Sequence, residues 1–148
     1  MQDRIHRHGC SRSLSHLGAL CLRNPWLDGD PYVLTVGGVD FAIDLGAEHL
    51  MAAKRDDVQI AVEIKSFLGP SLITDFHAAL GQFLNYQLAL EQTDPTRQLY
   101  LAVPLDAYLT FFQLPFAQTA RDLYAVRLLI YDPAQPEVLT WTPHPPIE

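Results

Sequence analysis

Residues 39–67, VDFAIDLGAEHLMAAKRDDVQIAVEIKSF, decide how the chain folds. Two strand-like runs lie within them. Phe41 to Leu45 puts Asp44 at its end, and Ile60 to Phe67 carries Glu63 and Lys65 inside an apolar run. Side chains alternate faces along a strand, so Glu63 and Lys65 share one face while Val62 and Ile64 take the other. A carboxylate and an ammonium placed mid-strand are costly to desolvate unless each finds a partner. Asp44 is the natural third member if the two strands pair. The residues between them, Ala47 to Lys54, predict a short helical connection closed by Arg55-Asp56-Asp57.

An Asp followed by Glu-x-Lys on an adjacent strand resembles the PD-(D/E)xK nuclease signature. The chemistry accounts for the residue types. Carboxylates from Asp44 and Glu63 and the carbonyl of Ile64 are hard oxygen donors suited to Mg²⁺, with Mn²⁺ as a substitute. Such a cation acidifies a bound water and neutralises charge growing on a phosphate. Lys65 is placed to orient the water or steady the developing anion. The same three side chains also fit a buried network that only ties strands together. Glu48 reads either as a further ligand near Asp44 or as an acid favoured at a helix start.

Outside this stretch the signals are ordinary. Ser11 to Cys21 has helical spacing at Leu14, Leu17, Leu20 and Cys21, weakened by Gly18. Trp26 sits in a turn-rich loop as a core anchor. Tyr32 to Val36 reads as a strand and Gly37-Gly38 as a hairpin turn. Ser71 to Glu91 predicts a long helix whose apolar stripe is Leu72, Phe76, Leu80, Phe83, Leu84 and Leu88. Gln82 and Tyr86 stand four apart and so share a face of it. His77, on the same helix, reads as solvent-facing or internally satisfied. Gln98 to Val103 and Val126 to Tyr131 are strands, Asp106 to Gln113 a helix interrupted by Pro115, and Val138 to Trp141 an edge strand. The aromatic group Tyr108, Phe111, Phe112 and Phe116 reads as core before it reads as a base-stacking surface.

With 148 residues, 49% of them apolar and 18% charged, the composition fits one globular domain. The net charge of −7 argues against a broad nucleic-acid surface. It is unevenly spread: residues 1–23 hold four Arg and one Asp, while 24–148 hold six basic and sixteen acidic residues. An acidic body can still engage DNA locally or with a partner's help. Cys10 and Cys21 have no metal-ligand spacing and read as free thiols of a reducing compartment. No apolar run reaches membrane-spanning length, so the expected location is cytoplasmic, with no membrane partner. The expected organisation is a poorly patterned basic segment over 1–24 with a short helix, a domain over 25–142, and a Pro-rich tail over 143–148.

Taken together, WLDGDPY at 26–32, DLGAEHLMAA, IAVEIKSFLGPS, ALGQFLNYQLAL, QLYLAVP and LLIYDP resemble the XisH family, the fdxN element excision controlling factors of cyanobacteria and some other filamentous bacteria. The resemblance covers roughly Trp26 to Trp141; residues 1–24 do not match the charged amphipathic helix with which the family opens. It implies an α/β fold in a single domain, with a central mixed sheet flanked by helices in the restriction-endonuclease-like manner. It further implies that Asp44, Glu63 and Lys65 correspond to the nuclease triad. Gln82 and Tyr86 correspond to the QxxxY pattern of RecB-like members of that fold. By the same resemblance the chain works in DNA element excision beside a XisI-like protein and a separate recombinase. Two functional classes follow: a metal-dependent endonuclease, or a non-catalytic interaction module that binds the XisI-like partner or the recombinase. Self-association into a homo-oligomer is left open.

Overall fold

The computed structural model describes residues 35–40, 49–55 and 58–143. Two short strands open it, β1 (Thr35–Val36) and β2 (Val39–Asp40), paired antiparallel across Gly37-Gly38. Both glycines have positive φ, +57° and +80°. That is the backbone of a two-residue hairpin turn, which side-chain-bearing residues adopt only with strain.

The main sheet has five strands in the order β3-β4-β5-β6-β7: His49–Arg55, Val58–Ile64, Gln98–Pro104, Leu128–Asp132 and Gln135–Thr142. β4, β5 and β6 run parallel, while β3 and β7 close the two edges antiparallel. The sheet is therefore mixed, and the chain is an α/β protein as expected. Joining β4 to β5 is α1 (Leu72–Thr93). Between β5 and β6 lie α2 (Leu105–Leu109), a 3₁₀ turn (Phe111–Gln113) and α3 (Pro115–Leu123).

β3 corrects the sequence reading. The helical connection expected over Ala47 to Lys54 is, from His49 onward, a strand paired residue for residue with β4, from His49 opposite Ile64 to Arg55 opposite Val58. Seven residues of mixed propensity cannot sustain a helix against a long β-branched neighbour that offers a full ladder of hydrogen bonds. Pro115 corrects it a second time. It does not merely interrupt a helix but sits in the first turn of α3, where its missing N–H has no partner to lose. The run expected as one helix over 106–113 is divided between α2 and the 3₁₀ turn.

α1 starts as expected. Ser71 is its cap, its hydroxyl accepting from the Thr74 N–H at 3.4 Å. The buried face, however, is rotated from the Leu-rich stripe. It runs through Phe76, Ala79, Phe83, Tyr86, Ala89 and Leu90, while Leu84 and Leu88 face outward at 37% and 56% exposure. The two alanines allow the helix to lie close on the sheet, and that closeness selects the face. Against it pack Ala61, Leu99, Leu101, Val103, Leu128 and Ile130, with Phe111 and Phe112 completing the core. Of the four aromatics expected there, Phe111 and Phe112 are buried, Tyr108 packs on the margin and Phe116 is exposed. Ile60, Val62 and Ile64, on the other face of β4, are also fully buried, as befits a strand inside a parallel sheet.

At the base of the sheet Arg97 ties three segments together. Its guanidinium donates to the Ile60 carbonyl at 3.0 Å, to Gln59 Oε1 at 3.2 Å and to Asp94 Oδ2 at 3.0 Å. That contact, with help from Thr96, holds the Asp94 carboxyl below its ordinary range.

Candidate functional site

The expected site residues fall into two groups. Asp44 lies outside the described residues, as do Glu48, the helix expected over 11–21 and Trp26. Glu63, Ile64, Lys65, Gln82 and Tyr86 are all described, and the fold brings four of their side chains to one side of the sheet. Glu63 and Lys65 follow Ala61 on the face that α1 covers. Lys65 extends the ladder one residue past β4, its N–H donating to the Ala102 carbonyl at 3.0 Å. In that parallel pattern Lys65 turns its backbone groups toward β5, and Ile64 turns its own toward β3.

The decisive contact crosses from sheet to helix. Lys65 Nζ donates to Gln82 Oε1 at 3.2 Å, across seventeen positions of sequence. Tyr86, one turn further along α1, is 2% exposed and belongs to the core. Glu63 and Lys65 are themselves 2% and 5% exposed. The helical spacing of Gln82 and Tyr86 and the strand spacing of Glu63 and Lys65 thus meet in one buried polar layer. His77, as expected, faces solvent.

Three features of this layer have no local signal in the sequence. The Tyr131 hydroxyl, from β6, donates to the Lys65 carbonyl at 3.5 Å, the outer limit of a hydrogen bond. Burial pushes that hydroxyl far above the ordinary tyrosine range, with the Asp106 charge adding to the shift. Phe67, two residues past Lys65, has φ +52°, a strained backbone for a bulky side chain. It is held there by its ring, which stands edge-on to Phe112 with centroids 5.6 Å apart. Gly69 then closes the loop, its N–H donating to Asp75 Oδ2 at 2.9 Å. A Cβ at Gly69 would come within 2.5 Å of that carboxylate.

A crevice of about 540 Å³ opens beyond the carboxyl ends of β4, β5 and β6, reached by Ser66, Asp106 and Asp132. None of Glu63, Lys65, Gln82 and Tyr86 lines it.

This chain has known relatives. The family model for XisH protein matches residues 19–139. The chain belongs to the XisH family. Two crystal structures agree. An XisH family protein from Nostoc punctiforme is 47% identical, with a TM-score of 0.67 over 74% of this chain and 81% of that one. An fdxN element excision controlling factor protein from Anabaena variabilis is also 47% identical, with a TM-score of 0.68 over 76% of this chain and 82% of that one. No curated protein matches the chain. Among the described residues of this XisH-family chain, no three His, Cys, Asp or Glu side chains gather as a metal cluster, and no helix is long and apolar enough to cross a membrane.

Proposed function

We propose that this XisH-family chain serves in DNA element excision or DNA processing, and that Glu63, Lys65 and Gln82 belong to a site for Mg²⁺-dependent phosphodiester hydrolysis. One observation carries the reading. A buried lysine, two positions from a buried glutamate on the same sheet face, is held by the glutamine of QxxxY. A structural tie between strand and helix needs no cation at this depth, where an apolar pair of similar volume would serve as well or better.

The donor chemistry fits a hard cation. Glu63 and the Ile64 carbonyl would hold it together with Asp44, and Mg²⁺ or Mn²⁺ accepts such a partial oxygen set because it keeps waters of its own. When bound, the cation acidifies water and neutralises charge on the scissile phosphate. The rest falls to side chains of the chain. Gln82 fixes the direction of the Lys65 ammonium, Lys65 places positive charge beside the oxygen that gains electrons, and Tyr86 buttresses Gln82 from the next turn.

The experiment is an incubation of purified protein with single- and double-stranded DNA, with and without Mg²⁺ or Mn²⁺. Cleavage is expected only with the cation. Glu63→Ala and Lys65→Ala are each expected to lower the rate at least ~100-fold, the usual size of removing one charge-stabilising group. Cleavage that survives both substitutions refutes the assignment.

The depth of burial favours a second reading. With Glu63 and Lys65 at 2% and 5% exposure, the polar layer serves as an internal brace. The chain then works as a non-catalytic interaction module for a XisI-like partner or a recombinase, with an acidic surface suited to a basic protein. Co-purification with a XisI-like protein, in the absence of any cation-dependent cleavage, selects this reading over the first.

A further inference from the structure

The entry to β6 holds a second feature, apart from the Lys65–Gln82 contact. Arg127 is half-buried at the entry to β6, and among the described residues its side chain makes no hydrogen bond or ion pair. The chain has seventeen acids against ten lysines and arginines. A guanidinium drawn partly out of water without a carboxylate is therefore unexpected, because no carboxylate among the described residues pairs with it to offset its desolvation. Arg97, by contrast, is committed to Asp94, Gln59 and the Ile60 carbonyl.

Arg127 lines a cleft of about 330 Å³ with Arg121, Asp122, Thr142 and Pro143. Arg121 Nη2 donates to Thr142 Oγ1 at 3.0 Å, which leaves the Thr142 O–H to donate elsewhere. The Tyr100 hydroxyl donates to the Pro143 carbonyl at 3.0 Å on the same wall. Among the described residues Asp122 forms no ion pair with either arginine, and those lining the cleft set two positive charges against one negative. The carbonyls at the end of α3 are turned inward by their own caps. Val126 N–H donates to the Arg121 carbonyl at 2.9 Å and Ala125 N–H to that of Asp122 at 3.3 Å.

We propose that this cleft binds a phosphate group, with Arg121 and Arg127 gripping its oxygens and Thr142 donating its hydroxyl. Planar guanidinium forks match phosphate oxygens better than any other side chain does. The phosphate is either free or part of a nucleic-acid backbone. Leu101 is the partner of both Glu63 and Leu128, so Arg127 stands near the level of Glu63 with β5 between them, and its place between the buried Val126 and Leu128 puts it on the sheet face away from Glu63 and Lys65. The proposal does not rest on hydrolysis at Glu63 and Lys65.

The test uses the full chain and two probes. Inorganic phosphate is titrated while the arginine Nε–H resonances are followed by NMR, and a labelled single-stranded oligodeoxynucleotide is titrated by fluorescence anisotropy. Phosphate is expected to move the Arg121 and Arg127 signals. Arg127→Gln is expected to weaken phosphate about tenfold, the scale of a lost charge-assisted hydrogen bond. Asp122→Asn is expected to tighten it about threefold, a gain that a folding defect cannot produce. If Arg127→Gln also weakens the oligonucleotide and lowers its salt slope by about one, the group bound is a backbone phosphate. If only inorganic phosphate is affected, the cleft takes a free phosphate or a small phosphomonoester. Signals that stay still, or phosphate affinities unchanged in both variants, overturn the proposal. Glu63→Ala should leave the phosphate shifts intact whatever it does to DNA cleavage.

Discussion

The Lys65–Gln82 contact can be measured by itself with a double-mutant cycle of Lys65→Met, Gln82→Met and the pair. Methionine keeps the length and much of the volume of both side chains, so each single change removes the polar contact without opening a large cavity. A hydrogen bond from an ammonium contributes ~1.5–3 kcal/mol. The separation here, 3.2 Å, is longer than the ~2.7–2.9 Å of the strongest charge-assisted bonds. Gln82 is only half-buried, so water recovers part of what Lys65 loses. Both facts push the coupling to the low end, ~1–1.5 kcal/mol. Urea unfolding of the four proteins, with m-values checked for equality, gives the coupling directly. The single Lys65→Met change has no fixed sign, because removing a buried ammonium also removes its desolvation cost. The cycle cancels that cost, which appears in both arms. A coupling below ~0.5 kcal/mol, the ordinary error of additivity for independent sites, would refute the claim that α1 positions the lysine. The catalytic reading would then lose its one supporting contact.

Further outcomes follow from the packing and from the buried hydroxyls. Phe112→Ala removes a ring that is 1% exposed and lies 5.6–5.8 Å from Phe67, Phe76 and Phe111; thermal or urea unfolding should show a loss of ~3–5 kcal/mol. Ala125→Gly should stabilise the chain by up to ~1 kcal/mol, because Ala125 holds φ +51°, where glycine is unstrained. Tyr100 and Tyr131 both have hydroxyls raised by burial, opposed at Tyr100 by Arg127. The folded chain keeps these protons above the ordinary tyrosine pKa of 10.0 while the unfolded chain releases them. Stability is therefore whole below that pH and declines above it, by ~1.4 kcal/mol per pH unit for each hydroxyl across its window. Unfolding followed from neutral to strongly alkaline pH checks this, and Tyr131→Phe should flatten the decline.

Much of this molecule could be read before any tertiary structure. Alternation along residues 60–65 put Glu63 and Lys65 on one face, and the four-residue spacing put Gln82 and Tyr86 on one turn-to-turn row, because both periods are set by backbone geometry alone. The helix beginning near Ser71 and Gly37-Gly38 as a hairpin are equally local, each depending on residues next to one another in the chain. What required the fold was everything decided by a neighbouring element rather than by the segment itself. His49–Arg55 is a strand because β4 lies beside it; its own composition favours neither state enough to prevail. The buried face of α1 is the one with Ala79 and Ala89, since close approach to the sheet outweighs the larger apolar area of Leu84 and Leu88. The Lys65–Gln82 bond, the Tyr131 hydroxyl over the Lys65 carbonyl and the near-complete burial of Glu63 all come from elements separated along the chain. Local propensities amount to tenths of a kcal/mol per residue, whereas burying a side chain amounts to one or more. Where the two disagree, tertiary packing prevails.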